Sequence, residues 1–276
     1  RDLVRSRGLG DVYKRQVLAL AVWGLRGPLN SGPNGWHVAL CDVGQGDALL
    51  LRGDDAPQAP VVLIDSGPEP QALADCLDTL KVQSVDLLIA THPHADHTGG
   101  LPALVGGRYP RRVWACPLDN ETETQFPHAE VQYPVQGHEA RVGDLGVKVL
   151  WPRSGEEATR MGSLENGGEE SGLNDCSIAV AASIPGVDGG PGTTLAALGD
   201  LEPKVQASLA KGGVDPATIV KVAHHGSRRQ SPDLYGKLNP RIALIGVGAN
   251  SFGHPHRDTR DMLEGRGSRI LRSDQC

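Results

Sequence analysis

The sequence predicts an α/β fold in which two mixed β-sheets pack face to face and helices cover their outer sides. Three observations predict it: apolar runs of strand length recur in both halves of the chain, segments with helical spacing lie between them, and 276 residues are ample for such a core. The 36 Gly, 20 Pro and 39% hydrophobic residues exclude whole-chain disorder, collagen and coiled coil. A net charge of −6 gives no support to a protein that coats nucleic acid, although a local basic groove stays possible.

The first 35 residues are expected to lie outside this domain. Residues 1–16 are basic, show no clear period and resemble translated sequencing-adaptor sequence, so we interpret them as an artefact. Residues 17–25 form a nine-residue apolar run, shorter than the roughly 20 residues that span a bilayer. We interpret this run as the end of a transmembrane helix, with a short buried helix or a signal-peptide remnant as alternatives, and residues 27–35 as a linker. The domain occupies residues 36–276, and we expect it to be truncated because the chain stops just after a strand begins.

In the first half, apolar runs bounded by turn residues predict strands at 36–42, 47–51, 61–65, 85–90 and 112–115. Leu73, Leu77 and Leu80 fall on one face of a helix at 71–80. Residues 100–105 open a further helix.

In the second half, the same patterns predict strands at 147–150, 177–183, 194–198, 219–223, 242–247 and 270–271, with helices at 201–211, 232–238 and 259–263. Pro203 falls in the first turn of its helix, where proline is tolerated. Residues 154–171 are rich in Gly, Glu and Ser and are interpreted as a flexible insertion.

Five cysteines show no CxxC spacing, so the sequence predicts neither a zinc ribbon nor a disulfide framework. We interpret most of them as small buried apolar residues.

Seven of the ten histidines lie in three short clusters, each just after a predicted strand. The strongest pattern is the segment THPHADHTGG at residues 91–100. His92 and His94 are two apart in an extended segment and point to the same side, and Asp96 and His97 follow where the chain must turn. Imidazole and carboxylate ligands suit zinc, iron or manganese. Four ligands within six residues exceed the needs of one open catalytic metal, so two divalent metal ions are predicted.

An HxHxDH motif after a buried strand resembles the signature of the metallo-β-lactamase superfamily. The resemblance implies a four-layer αββα sandwich with one or two metals at the rim of the sheets. Residues 64–67 (IDSG) are similar to the family's early Asp-Gly turn. Residues 197–200 (ALGD) are similar to the strand that delivers a metal-bridging aspartate, and residues 222–227 (VAHHGS) to the late histidine motif.

The resemblance also implies the ligands. His92 and His94 hold one metal; Asp96 and His97 hold the other together with His225, or alternatively His224; Asp200 bridges the two. Taken alone, Asp200 could instead cap the following helix, and the two late histidines could be an ordinary pair at a strand end.

One departure concerns a further histidine that many members of the superfamily supply between the first motif and the bridging aspartate. Residues 173–177 (LNDCS) stand at that place, and Asn174 or Asp175 is a candidate for a weaker oxygen ligand. This weakens the case for fully occupied zinc and makes Mn²⁺ an alternative to Zn²⁺.

The order of DVGQGDA, HPHADHTGG, NDCS, GDLEP, VAHHGS and NSFGHPH resembles the C-terminal hydrolase domain of ComEC-type competence proteins, which are membrane channels for DNA uptake in transformation. The resemblance implies an extracytoplasmic nuclease, on the periplasmic or cell-surface side. It would degrade the DNA strand that is not transported, with single-stranded DNA and other uptake machinery as partners. Stand-alone relatives share most of the motifs, so the alternative is a cytoplasmic hydrolase of a small ester, thioester, lactam or phosphocholine-type substrate. A catalytically inactive DNA-binding module is less favoured because Asp96 and Asp200 are present.

The expected mechanism rests on Asp96, Asp200 and His224. Two adjacent cations lower the pKa of a water, supply hydroxide near neutral pH and neutralise the oxygens of a displacement at phosphorus. Asp200 would orient that hydroxide. His224, if it is not a ligand, could contact a phosphate oxygen or protonate the leaving alkoxide.

Residues near the late motifs are candidates for substrate and phosphate binding: Ser227, Arg228, Arg229, Asn250 and His254, together with Gln45 and Asp47 on the early glycine turn. The arginine pair could equally be a solvated surface, and Asp47 could stabilise its turn.

Overall fold

The computed structural model describes residues 35–54, 56, 58–163, 172–186 and 190–275. The predicted adaptor artefact and membrane-helix end lie outside the described residues, as do nearly all of the linker and residues 164–171 of the predicted insertion. No described helix is both long enough and apolar enough to cross a membrane.

The first sheet places six strands side by side in chain order. They are β1 (Val38–Leu40), β2 (Leu49–Arg52), β3 (Val61–Ile64), β4 (Leu87–Ala90), β5 (Arg112–Ala115) and β6 (Glu130–Gln132). The pairs β1–β2 and β2–β3 are antiparallel, whereas β3 to β6 run parallel.

The second sheet has the order β13-β12-β11-β10-β9-β8-β7, with bounds β7 (Glu139–Val142), β8 (Leu145–Trp151), β9 (Ala179–Ile184), β10 (Thr193–Ala197), β11 (Ile219–Lys221), β12 (Ile242–Ile245) and β13 (Arg269–Arg272). Strands β10 to β13 are parallel, and β7 to β10 are antiparallel. Each sheet therefore contains a parallel block whose strands all end at one edge.

Seven helices surround the sheets in the described part of the chain. They are α1 (Pro70–Thr79), α2 (Ala95–Thr98), α3 (Asn120–Gln125), α4 (Gly155–Gly162), α5 (Pro203–Gly212), α6 (Pro232–Leu238) and α7 (Arg257–Glu264).

Three buried apolar layers hold the sandwich together. Alternate residues such as Leu49 and Leu51 on β2 point between the sheets, while Leu50 points outward to pack with Leu73 and Leu77 of α1. A third layer joins the outer face of the second sheet to α5, α6 and α7. Apolar side chains on both faces explain why the central strands are continuous apolar runs in the sequence. The predicted class of two mixed sheets flanked by helices is confirmed.

Several local predictions were wrong. The predicted flexible insertion begins with α4, whose Ser154 side chain accepts a hydrogen bond from the backbone N–H of Glu157, as in a helix-capping box. The prediction also omitted α3 and the strands β6 and β7. Asp119 caps α3 by accepting bonds from the backbone N–H and hydroxyl of Thr122.

The cysteine interpretation was also wrong. Cys41 pairs with Cys76, and Cys116 pairs with Cys176, in two disulfides that close 35 and 60 residues of chain. The sequence predicted no disulfide framework, and most cysteines were interpreted as small buried apolar residues. Their spacing contains no recognisable framework, and only the folded chain brings the partners together.

Candidate metal centre

The three histidine clusters meet at one rim of the sandwich. Thr91 follows the end of β4, Asp200 follows β10, and the turn Ala223–Gly226 follows β11. Because β10 and β11 run parallel and β4 belongs to the parallel block of the facing sheet, their C-terminal ends bring these segments together.

Asp200 is the centre of the cluster. Its Oδ2 lies 3.2 Å from Nε2 of His97 and 3.4 Å from Nε2 of His225. Asp96 joins them, with its Oδ2 3.1 Å from Nε2 of His225 and 3.8 Å from Nε2 of His97. His97, Asp200 and His225 are buried, and together with Asp47 they offer four ligand atoms within 4.8 Å of one another.

Buried partners fix the direction of both imidazoles. His97 Nδ1 donates to Asp65 Oδ2 at 2.8 Å, and Asp65 is itself held by the backbone N–H and hydroxyl of Thr91. His225 Nδ1 donates to the carbonyl oxygen of Gly246 at 2.9 Å. These bonds leave each Nε2 facing Asp200, in the arrangement by which proteins orient histidine ligands.

The late histidine turn has an uncommon backbone. His224 and His225 have φ values of 48° and 50°, in the left-handed region that non-glycine residues rarely occupy. Such strain concentrates at functional sites, and here it turns two adjacent imidazoles toward the rim. The residue before Asp200 is Gly199, with φ 53°. A side chain is not tolerated there because a Cβ would lie 2.7 Å from the Ser177 side chain.

His92 and His94 form the other part of the cluster. His92 Nε2 lies 3.0 Å from His94 Nδ1, and the rings of His92 and His97 are 4.2 Å apart. His92 Nδ1 contacts the hydroxyls of Thr91 and Ser177, and Ser177 Oγ accepts a bond from the backbone N–H of Asp200. Ser177 thus links this pair to the central carboxylate.

Asn174 and Asp175 both contact Glu202, but through different atoms. Asn174 Nδ2 donates to Glu202 Oε1 at 3.0 Å, and its buried Oδ1 has no hydrogen-bond partner among the described residues. Asp175 Oδ1 accepts the backbone N–H of Glu202 at the start of α5. The Asn174 oxygen is therefore left available to a cation, whereas one of the two Asp175 oxygens is already engaged.

The cluster is strongly charged. Burial alone would raise the pKa of Asp200, yet the imidazoles of His97, His225 and His224 hold that pKa well below its usual value. Burial likewise opposes protonation of His97, but Asp200 and Asp65 raise its pKa well above the usual value. By contrast, burial and the charge of His97 lower the pKa of His92.

The residues fit divalent cations. His97 Nε2, Asp200 Oδ1 and Asp47 Oδ1 are buried and make no hydrogen bond within the described residues. Two orphaned carboxylate oxygens beside a preoriented imidazole nitrogen form a donor set that zinc, manganese and iron accept.

Asp47 and Lys221 occupy the floor of the site. Asp47 was predicted as a substrate contact on the glycine turn; it is buried and ion-paired with Lys221, whose Nζ is 4.0 Å from Asp200 Oδ1. The sequence reasoning missed Lys221, although a lysine ending the apolar strand β11 is a signal, because buried lysines are almost always paired.

Glu202 was missed as well. Its Oε1 lies 3.0 Å from His224 Nδ1, and its Oε2 lies 3.4 Å from Nε of Arg229. His224 Nε2 is 3.9 Å from Asp200 Oδ2. Glu202 therefore links the imidazole of His224 to the guanidinium of Arg229.

The remaining predicted contacts surround the centre. Arg228 is largely exposed and pairs with Asp258, while Ser227 is buried and its Oγ accepts a bond from the backbone N–H of Arg229. Gln45 Oε1 accepts the backbone N–H of Gly248.

Asn250 and His254 belong to one loop. Asn250 bonds the backbone of His254 in both directions, and the ring of His254 lies 5.5 Å from that of His224. Burial and the neighbouring histidines lower the pKa of His254 to about 4.

Comparison with known proteins gives a consistent result. The family model described as the metallo-beta-lactamase superfamily matches residues 41–231. Two curated relatives are each 26% identical: ComE operon protein 3 of Bacillus subtilis (strain 168), over 87% of this chain and 32% of the relative, and Competence protein ComA of Neisseria gonorrhoeae, over 99% and 36%. The chain thus spans about a third of the length of these relatives.

Among solved structures, the metallo-beta-lactamase fold protein YhfI from Bacillus subtilis superposes with a TM-score of 0.51 and 11% identity. The match covers 84% of this chain and 95% of YhfI, and it supports the fold.

Proposed function

Since the chain belongs to the metallo-beta-lactamase superfamily of metal-dependent hydrolases, we propose that it is a phosphodiesterase: the nuclease part of a DNA-uptake protein that degrades the strand left outside. The observation that carries the proposal is the Asp200-centred cluster at the rim, with the exposed guanidinium of Arg228 three residues after His225 in the chain. The similarity to two competence proteins along most of the chain favours DNA over a small ester.

Two cations fit the rim. His92 and His94 would hold one, with the oxygen of Asn174 in the place of a third imidazole, and Asp96, His97 and His225 would hold the other. Asp200 would be shared. When bound, such cations supply Lewis-acid chemistry at phosphorus and a nucleophile at neutral pH, with Zn²⁺ or Mn²⁺ as the candidates.

The chain's own groups then position the reactants. Asp65 and the Gly246 carbonyl keep the Nε2 atoms of His97 and His225 turned toward the reaction site. Buried walls exclude water behind these imidazoles, which strengthens every charge interaction at the rim.

His224 is placed to deliver a proton to the leaving oxygen. Burial opposes its protonation, but the charges of Asp200 and Glu202 raise the pKa of His224 above the usual value. Glu202 Oε1 holds Nδ1, so Nε2, on the side of Asp200, is the atom that donates.

Arg228 and Arg229 would contact phosphates of the strand. Side-chain exposures of 72% and 48% leave both accessible although each pairs with a carboxylate. Guanidinium groups bind phosphate oxygens through two parallel bonds, so they would align the backbone without selecting a sequence.

An extracytoplasmic position is proposed on the strength of the two disulfides, which persist mainly in oxidising compartments. The apolar residues 17–25, outside the described part, would attach the domain to the membrane.

The decisive experiment measures cleavage of labelled single-stranded DNA by the purified chain. The protein is stripped with chelator and reloaded with Mn²⁺ or Zn²⁺ in parallel; Asp200→Ala is the inactive variant, and Asp75→Ala, on the exposed side of α1, is the matched control. Metal-dependent cleavage that survives in Asp75→Ala and vanishes in Asp200→Ala supports the proposal. A folded, metal-loaded protein that leaves DNA intact and hydrolyses a small ester or lactam would overturn it.

A further inference from the structure

Phe252 is the most exposed large apolar side chain in the described part of the molecule, with 64% of its surface open to solvent. It lies in the loop that follows β12, one residue after Ser251 and two before His254. An isolated exposed phenylalanine needs no explanation by itself. Phe252, however, lies at the end of a row of rings that leads to the metal centre.

The loop that carries Phe252 is held firmly. Asn250 Nδ2 donates to the carbonyl oxygens of Gly248 and His254, both at 2.9 Å, and Asn250 Oδ1 accepts the backbone N–H of His254 at 3.0 Å. The backbone N–H of His256 donates to the carbonyl oxygen of Gly226 at 2.8 Å. The loop is thereby docked on the strained turn that carries His224 and His225, so the ring is presented from a fixed frame.

A row of three rings leads from solvent to the cluster. The ring of Phe252 stacks on that of His254, with centroids 5.7 Å apart and an interplanar angle of 29°. His254 meets His224 edge to face at 5.5 Å, and His224 Nε2 is 3.9 Å from Asp200. Phe252 therefore marks the outer end of a path that begins at the reacting centre.

We propose that Phe252 is a stacking platform for a nucleobase of the bound strand, beside the phosphate that is cleaved. This inference rests on the proposed nuclease function. Every base has a π-face, so an aromatic platform accepts any sequence, which is what an enzyme that degrades an arbitrary discarded strand needs. Arg228, in the segment against which the loop docks, supplies the phosphate contact that a stacked nucleotide also requires.

The binding test compares two strands of equal length and charge: an oligothymidylate of twelve nucleotides and a strand of twelve abasic residues. Affinities are measured by fluorescence anisotropy with the full chain in the Asp200→Ala background, which prevents cleavage. The parent is expected to bind the thymidylate strand about tenfold more tightly than the abasic strand, the size of effect that one base–aromatic stack provides. In Phe252→Ala this preference falls to near one, whereas Phe252→Trp keeps it.

Tyr133 provides the matched control. Its side chain is 43% exposed, like a platform, but it follows β6 of the first sheet and its hydroxyl donates to Glu123 of α3. Tyr133→Ala is expected to keep the full preference. A strand carrying 2-aminopurine gives a direct signature, because its fluorescence is quenched on stacking by the parent and by Phe252→Trp but not by Phe252→Ala.

The outcomes separate the two proposals. If the active protein cleaves DNA and Phe252→Ala keeps the preference for bases, the platform is overturned and the nuclease stands. If the strand binds with a Phe252-dependent preference but is never cleaved by the metal-loaded parent, the nuclease is overturned and Phe252 stands as a base-stacking residue of a binding site. If the Asp200→Ala protein binds neither strand and the metal-loaded parent cleaves no DNA, both are overturned.

Discussion

The metal centre has two halves that the protein organises to different degrees. The His225 half consists of Asp96, His97 and His225; the His94 half consists of His92, His94 and Asn174. In the His225 half, both imidazoles are buried and each Nδ1 is locked by an oxygen of Asp65 or Gly246. In the His94 half, His94 is partly exposed, and the proposed third ligand is the amide oxygen of Asn174, which is buried without a hydrogen-bond partner among the described residues. From this contrast we propose one preorganised cation position, in the His225 half, and one weaker, exchangeable position, in the His94 half.

The carboxyl groups follow the same division. His225, by hydrogen bonding, and the charge of His97 outweigh burial and lower the pKa of Asp96, which stays ionised and ready to ligate. In the segment next to the His94 half, burial raises the pKa of Asp175 to about 6, and its Oδ1 accepts the backbone N–H of Glu202. A raised pKa makes protons compete with a cation for this carboxyl group as the pH falls toward 6, and one of its oxygens is already engaged, so the amide of Asn174 is the better candidate there.

Removal of the Asp200 carboxylate, which both halves are proposed to share, should remove the cations of both halves. Asp200→Ala is expected to lower hydrolysis to background, by more than the roughly 100-fold that marks the upper range for loss of a supporting group. Metal analysis should show both cations lost, whereas Asp96→Ala should lose only the cation of the His225 half. Retention of full turnover or of both cations by Asp200→Ala, after strict control of metal, would disprove a shared ligand.

Removal of either disulfide should lower the stability of the fold by a similar amount, but only one removal should also lower the affinity for a cation. Loops of 35 and 60 residues each correspond to about 4 kcal/mol of stabilisation. Denaturant unfolding in chelator should show similar losses for Cys41→Ala/Cys76→Ala and Cys116→Ala/Cys176→Ala. Only the second pair should weaken the exchangeable cation, because Cys176 lies beside Ser177 and Asn174.

Metal titration of the two double variants provides the comparison. The Cys41–Cys76 bond, joining the segment after β1 to α1, is the control for general loss of stability. Equal weakening of the exchangeable cation by both losses would contradict a specific role for Cys176.

Asp65 supports the His225 half and Ser177 supports the His94 half, and substitution of these two residues should lower cation affinity to different extents. Asp65→Asn keeps the size of the side chain but presents an N–H to His97, which shifts the imidazole proton to Nε2 and blocks the ligand atom. Cation affinity in the His225 half should fall about 10- to 100-fold. Ser177→Ala should have a smaller effect because Thr91 still contacts His92 Nδ1. Competition with a chelating dye measures the cation affinity of both variants. A larger loss of affinity in Ser177→Ala than in Asp65→Asn would mean that the His94 half, and not the His225 half, binds its cation more tightly.

The local parts of the proposed centre could be predicted from the sequence. An apolar strand followed by HxHxDH, and the late VAHHGS segment, predict polar clusters at strand ends, and the structure brings these clusters together at one rim. Asp65 and Lys221 become functional only through contacts 32 and 174 residues away in the chain. The disulfides likewise depend on long-range contacts, whereas the capping residues Asp119 of α3 and Ser154 of α4 are local signals within the sequence.

The smallest expected effect concerns Asp175, the residue next to Asn174 of the His94 half. The raised pKa of Asp175 means that the folded protein binds its proton more tightly than the unfolded chain between pH 4 and pH 6. The free energy of unfolding therefore falls as pH rises through that window, and the loss persists at neutral pH. Asp175→Asn preserves the oxygen that accepts the N–H of Glu202 and has no proton to lose. It should equal the parent near pH 4 and exceed it at pH 7 by about 1–3 kcal/mol.

Denaturant unfolding in chelator at pH 4, 5, 6 and 7 measures this difference, with Asp75→Asn as the exposed control. An advantage of Asp175→Asn that grows between pH 4 and 6 would show that the segment bearing Asn174 is stabilised by a neutral side chain beside it. A difference that stays constant over the series would contradict the raised pKa, and Asp175 would again compete with Asn174 for the exchangeable cation.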